Sequence, residues 1–193
     1  MIGGFIFPAK DGIRDINKVR SACFVYDGEG DEVARYDKIH MFDVDIEDSH
    51  GSYRESDTFE AGDQLVVIDT PVGKVGLTIC YDLRFAEMHA KLVDLGAQII
   101  VNGAAFTRTT GQAHWHTLLR ARAIETQCYM LAASHGGQHD HRQTFGHSMI
   151  IDPWGEILVE LGEGPGIAVA RIDLDHLKTI RRAFPLQYQR RLK

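Results

Sequence analysis

Short apolar segments alternate with polar turns along the whole chain, and this pattern predicts a succession of strands and helices. Strands are predicted at residues 2–7, 22–26, 32–36, 65–68, 75–79, 98–101, 129–133, 147–151, 157–161 and 167–172. Helices are predicted at residues 86–95, 112–126 and 174–183, where apolar residues recur at helical spacing. The polar segment 41–63 is predicted to be an irregular loop, and long loops are often functional. Together these elements predict an α/β fold with a mixed sheet, in one domain over residues 1–193.

The segment KVGLTICYDLRFAE, residues 74–87, holds the clearest candidate for chemistry. Val75, Leu77 and Ile79 alternate as in a strand, Cys80 ends it, and the predicted helix 86–95 follows. A cysteine on such a strand-to-helix turn lies near backbone N–H groups and the positive end of a helix. Both features favour a thiolate and can stabilise an oxyanion. The alternative is a buried cysteine that packs as a small apolar residue.

Composition and charge narrow the possible classes of protein. Apolar residues make up 44% and charged residues 25%, as in ordinary globular proteins. The net charge is −6, and basic residues cluster only near the C-terminus, so we expect neither nucleic-acid nor membrane binding. The three cysteines are widely spaced and odd in number, which favours free thiols in a reducing compartment. No signal-peptide or membrane-spanning pattern is present in these residues, so we expect a cytoplasmic protein.

Several motifs resemble one known family. GLTICYDLRFAE resembles the nucleophile motif of the nitrilase superfamily of carbon–nitrogen hydrolases, and RYDKIHMFDVD, residues 35–45, resembles its lysine motif. YRES followed by AGD, the segment 105–134 and GHSMIIDPWGEIL are similar to the branch of amidases that act on deaminated glutathione and related ω-amides. The resemblance spans nearly the whole chain. It implies an α-β-β-α sandwich with the site at one end of the sheets, a homodimer, a small amide substrate, and no metal or cofactor.

The same resemblance implies roles for particular residues. Cys80 is the expected nucleophile, Lys38 stabilises the tetrahedral intermediate, and the backbone N–H of Tyr81 donates to the oxyanion. Glu55, in the RES motif, corresponds to a second family glutamate that positions the lysine and the substrate. Arg84 corresponds to a residue that contacts a substrate carboxylate, although an i,i+3 surface pair with Glu87 is equally consistent with its spacing.

One part of the family pattern is missing from these residues. The family's general-base glutamate precedes the strand with which residues 1–4 align, so the chain is interpreted as truncated at its N-terminus. The resulting hypothesis is a cysteine-dependent amidase that releases ammonia from a small ω-amide such as deaminated glutathione, if an N-terminal segment supplies that glutamate. The alternative is an inactive truncated fragment or a non-catalytic binding relative. We do not expect Glu55 to replace the base, because a general base must lie within hydrogen-bond reach of its proton.

Histidines raise a third possibility, a metal-dependent hydrolase. His135, His139, His141 and His147 fall in or beside a segment predicted to be a loop, but their spacing matches no common zinc pattern. They are therefore interpreted as solvated or pocket-rim residues. On the predicted helix 112–126, His116 is interpreted, with its neighbours His114 and Trp115, as a packing or interface residue.

Overall fold

The computed structural model describes residues 1–8, 18–46, 51–140 and 142–192. The strands are β1 (Ile2–Pro8), β2 (Val19–Tyr26), β3 (Glu32–Asp37), β4 (Asp43–Asp45), β5 (Ser52–Arg54), β6 (Val67–Thr70), β7 (Gly73–Ile79), β8 (Ile99–Ala104), β9 (Tyr129–Ser134), β10 (Gly136–His139), β11 (Arg142–Phe145), β12 (Met149–Ile151) and β13 (Ile157–Glu160). The helices are α1 (Ala86–Asp94), α2 (Arg108–Thr126), α3 (Leu174–Ala183) and α4 (Leu186–Gln189).

Two main sheets organise the chain. The larger sheet has the strand order β13-β12-β9-β8-β7-β6, and its three central strands β7, β8 and β9 run parallel. Helices α1 and α2 connect these parallel strands, as crossover connections require. The smaller sheet is the antiparallel set β1-β2-β3. Two short hairpins, β4-β5 and β10-β11, complete the described sheets.

The central strands bury both of their faces, each in a different apolar cluster. Ile100 of β8 and Met130 of β9 belong to the cluster that α1 and α2 cover. Their neighbours Ile99 and Tyr129 belong to a second cluster, which contains residues of β2 and β3 such as Tyr36. This alternation follows from the period of two along a strand. The larger sheet therefore lies between a helical layer and the smaller sheet, and the predicted α/β fold with a mixed sheet is confirmed.

Three local predictions differ from the structure. The segment 41–63 is not wholly irregular, because β4 and β5 pair within it, while residues 47–50 lie outside the described residues. The predicted loop after β9 contains the hairpin β10-β11. The predicted strand 167–172 is absent: Ile167 is 88% exposed and Val169 79% exposed, and this stretch pairs with no described strand. Alternating apolar residues predict a strand only where a neighbouring strand can accept their hydrogen bonds.

Candidate active site

Cys80 occupies the corner where β7 ends. The backbone turns through a 3₁₀ segment, Cys80–Arg84, before α1 begins at Ala86. Cys80 itself has a φ of 48°, a left-handed conformation that is uncommon for a residue with a side chain. Such strain persists where the surrounding structure imposes it, and it concentrates at functional sites. The predicted strand-to-helix turn is therefore present, with the thiol at its sharpest point.

Asp82 fixes this corner to the end of β3. Its side chain is fully buried, and each carboxylate oxygen accepts two hydrogen bonds. One oxygen accepts from the Tyr36 hydroxyl at 2.7 Å and from the Ile79 N–H at 2.9 Å. The other accepts from the His40 N–H at 3.1 Å and lies 2.8 Å from His40 Nδ1. Because residues 36 and 40 flank Lys38, this carboxylate sets the position of the lysine relative to the thiol.

Lys38 forms a buried ion pair with Glu55. The lysine is only 3% exposed, and its ammonium contacts Glu55 Oε2. The same Glu55 oxygen accepts a 2.6 Å hydrogen bond from the Phe42 N–H. A lysine so far from water needs a charged partner, and Glu55 provides it. Through this one oxygen, Glu55 holds both the lysine and the chain that follows it.

Some groups around Cys80 raise the pKa of its thiol, and others lower it. Burial raises the pKa of the Cys80 thiol above its ordinary value, and Glu55 adds to that effect. Lys38, a hydrogen bond from the Ala105 backbone and Arg142 lower the pKa. Burial has the larger effect, so the free site favours the thiol, and the thiolate depends on the nearby positive groups.

A cavity of about 460 Å³ joins these residues. Its lining includes Lys38, Glu55, Cys80, Tyr81 and Arg84, so the structure brings all five predicted site residues to one space. Of the described residues that line it, Glu55 is the one that carries a carboxylate. A cavity of this volume holds a small organic substrate.

Arginines give one wall of the cavity a positive charge. Arg84 lies 5.2 Å from the ring centre of Phe106 and 3.2 Å from His114 Nδ1, so its described contacts are not with Glu87. Arg142 also lines the cavity, with its guanidinium 5.4 Å from the ring centre of Tyr53. Aromatic faces hold a guanidinium in place while its N–H groups remain available to an anion. Arg142 was not predicted as a site residue, because it lies in a segment predicted to be a loop.

The loop histidines that raised the possibility of a metal-dependent hydrolase do not line this cavity. His135 and His139 stack on each other, with ring centres 4.5 Å apart, and His141 lies outside the described residues. His147 instead contacts Glu160, at the far end of β13. Where the structure describes these side chains, the predicted loop histidines form no common metal site.

The site places a thiol at a strained strand end beside a buried lysine–glutamate pair and a small cavity. This arrangement is typical of sites in which a cysteine attacks a substrate. Comparison with known proteins identifies the family: residues 4–182 match the carbon–nitrogen hydrolase family, and the chain belongs to it. The predicted resemblance is therefore confirmed.

Individual relatives agree with this assignment. The chain is 51% identical over 174 residues to the deaminated glutathione amidase of Yersinia enterocolitica. The match covers 89% of this chain and 61% of that protein. Its structure is similar to the C. elegans NitFhit protein, with a TM-score of 0.86 and 40% identity over 95% of this chain and 45% of that one. It is also similar to Saccharomyces cerevisiae Nit3, described as a member of branch 10 of the nitrilase superfamily, with a TM-score of 0.80 and 34% identity over 91% and 61% of the two chains.

The match to Nit3 confirms the predicted fold class, that of the nitrilase superfamily. The chain spans about three fifths of the length of the curated relatives it matches, 61% of one and 58% of another. Within the described residues, no helix combines the length and the apolar character that crossing a membrane requires.

Proposed function

We propose that this protein is a cysteine-dependent amidase that hydrolyses a small ω-amide such as deaminated glutathione. Because the amide nitrogen of deaminated glutathione belongs to cysteinylglycine, this dipeptide leaves, whereas a primary ω-amide would release ammonia. One observation carries the proposal: the buried Lys38, held by Glu55, lines the same cavity as Cys80. Attack by the Cys80 sulfur on the amide carbon turns the carbonyl oxygen into an oxyanion. Lys38 and the Tyr81 N–H then stabilise that charge.

The remaining steps follow from acyl chemistry. The carbon–nitrogen bond breaks, the nitrogen leaves after it gains a proton, and an acyl thioester forms on Cys80. The leaving amine is cysteinylglycine for deaminated glutathione and ammonia for a primary amide. Water then attacks the thioester, which releases the carboxylic acid and restores the thiol. Both steps need a base that accepts and returns a proton. Because Glu55 is already engaged with Lys38 and Phe42, we assign that base to a glutamate outside these 193 residues.

The positive wall of the cavity supports a substrate that carries a carboxylate. Arg84 and Arg142 both line the space beside Cys80, and a guanidinium can bind a carboxylate through two parallel hydrogen bonds. The relatives named deaminated glutathione amidase indicate the first compound to test. The carbonyl of its ω-amide would meet Cys80 while a carboxylate lies toward the arginines.

Release of cysteinylglycine from deaminated glutathione tests the proposal. Two proteins are compared. One is the 193-residue chain, and the other is a fusion in which the N-terminal residues of the Yersinia relative that lie outside the match are joined before Met1. We expect steady turnover from the fusion, and a loss of at least about 1,000-fold on Cys80→Ala. The matched control is Cys23→Ala, which removes a buried thiol from β2. A Cys80→Ala fusion that turns over as fast as its parent would contradict the role of Cys80.

The second candidate function is amide binding without turnover. The pairing of Glu55 favours it for the 193 residues alone, because the one carboxylate that lines the described cavity already contacts Lys38. Calorimetric binding of deaminated glutathione, with no cysteinylglycine released by either the chain or the fusion, would support this alternative. Release by the fusion would exclude it.

The proposal includes a cytoplasmic homodimer. Ile124 of α2 and Trp154, in the turn before β13, expose 43% and 64% of their surface. These side chains lie on one side of the molecule, since Ile124 packs against Gly155. Large exposed apolar side chains that lie together are typical of interfaces. Sedimentation equilibrium should give twice the 21.6 kDa chain mass, and Trp154→Glu should shift the protein toward monomer.

A further inference from the structure

Away from the cavity, the structure brings together three side chains of the kinds that bind metals. His116 lies on α2, His147 precedes β12, and Glu160 ends β13. His116 Nε2 lies 2.8 Å from Glu160 Oε1, and His147 Nδ1 lies 2.7 Å from the same oxygen. The three potential ligand atoms all lie within 4.8 Å of one another. No local pattern predicts this cluster, because its members are separated along the chain.

The backbone around His147 is held in an unusual conformation. His147 has a φ of 57° and follows Gly146, whose φ is 72°. A β-carbon at Gly146 would come within 2.8 Å of the Glu163 Cα, so this position requires glycine. The indole N–H of Trp115 donates a 2.8 Å hydrogen bond to the His147 carbonyl. Consecutive left-handed residues carry strain, and here they direct the imidazole toward Glu160.

We propose that His116, His147 and Glu160 form a binding site for Zn²⁺, with His116 Nε2, His147 Nδ1 and a Glu160 oxygen as its three protein ligands. Two imidazoles and one carboxylate suit zinc better than calcium or magnesium, which prefer oxygen ligands alone. Water would complete a tetrahedral shell. The side chains are 36%, 26% and 32% exposed, so an ion and its water can reach them.

The distances allow this geometry with a small adjustment. Zinc–ligand distances of about 2.0–2.1 Å place tetrahedral ligands about 3.3 Å apart. The two histidine–carboxylate distances are about half an ångström shorter than that, as expected while hydrogen bonds occupy the positions. On binding, each imidazole keeps one proton on its other ring nitrogen and offers a lone pair to the ion. The site would link α2 to the hairpin β12-β13.

Zinc binding by the 193-residue chain tests the proposal, with Cys80→Ser in every protein so that the cavity thiol cannot bind the ion; the other two cysteines are buried. Affinity is measured by competition with a chromophoric chelator, and Co²⁺ absorption reports the geometry. His116→Gln and Glu160→Gln each remove one ligand. The control is His176→Gln, since His176 is also a surface histidine near a carboxylate, 3.6 Å from Asp152. Circular dichroism confirms that each variant is folded.

We expect one Zn²⁺ per chain, a tetrahedral Co²⁺ spectrum, and affinity losses of about 100-fold or more in both ligand variants. The control should bind as the parent does. Zinc at 100 times its Kd should also raise the Tm of the parent by about 5–10 °C. Absence of binding, or equal affinity in the parent and both ligand variants, would overturn the proposal. An equal loss in His176→Gln would overturn it too.

Discussion

Replacing Asp82 with asparagine should destabilise the protein far more than its small change in shape suggests. The two oxygens of Asp82 accept four hydrogen bonds in the fully buried corner beside Cys80. An asparagine keeps one oxygen and puts an NH₂ group in place of the other. That NH₂ group then faces two hydrogen-bond donors.

The magnitude follows from which donors can adapt. The Tyr36 hydroxyl can rotate, and the His40 ring can change tautomer, so each can accept a hydrogen bond from the new NH₂ group. The N–H groups of Ile79 and His40 cannot do so, and in either amide orientation one of them is left opposing another donor. A buried unsatisfied donor costs about 1–3 kcal/mol, and loss of a bond to a charged group adds about 1 kcal/mol. We therefore expect a loss of about 3 kcal/mol.

Urea unfolding measures this loss, with the fluorescence of the buried Trp115 as the signal. The corresponding fall in Tm is about 6–12 °C for a chain of this size. Asp69→Asn is the matched control, because Asp69 is 81% exposed and pairs only with Lys74 at the surface. Its effect should stay within about 0.5 kcal/mol. A loss below about 1 kcal/mol for Asp82→Asn would refute the reasoning.

Three further predictions concern charge. Iodoacetamide should alkylate Cys80 before the two buried thiols. Lys38→Met should slow that reaction about 10-fold at pH 8, because Lys38 lowers the pKa of the thiol and its loss leaves less thiolate; peptide mass spectrometry measures both rates. Arg142→Gln should weaken calorimetric binding of a carboxylate-bearing amide about 10-fold or more, but leave a neutral amide unaffected. Burial lowers the pKa of His89 to about 4, so the folded state resists a proton that the unfolded chain accepts below about pH 6.5. The urea-derived free energy of unfolding should fall by about 2 kcal/mol between pH 7 and pH 5, and His89→Gln should remove most of that fall.

The nucleophile corner could be predicted because its determinants are local. Val75, Leu77 and Ile79 alternate, and the helix begins a few residues after Cys80, so period and order alone place the thiol. Asp82 shows the limit of this approach. Alone in the sequence it resembles any polar turn residue, and its partners Tyr36 and His40 lie 46 and 42 positions away. No local pattern reveals pairing over such distances.

The segment 167–172 illustrates the opposite error. Its alternating apolar residues satisfy the local requirement for a strand, and a strand also needs a partner. Arg142 was missed for a related reason, since the pairing of Gly136 with Phe145 that forms β10-β11 involves glycine and polar residues with weak strand propensity. Local propensity therefore predicted the strands of the larger sheet, where it agrees with the tertiary structure, and failed at the peripheral segments 136–145 and 167–172.

The arrangement of the two sheets has a consequence for local unfolding. A cavity of about 1,020 Å³ separates β1 and β2 from the inner face of β8 and β9. The smaller sheet joins the larger one through the cluster around Tyr36 and through the hydrogen bonds of Asp82. It can therefore open as a cooperative unit of its own, at a lower free energy than global unfolding. Each opening would carry Lys38 away from Cys80, so amide exchange in β2 and β3 measures how often the site comes apart.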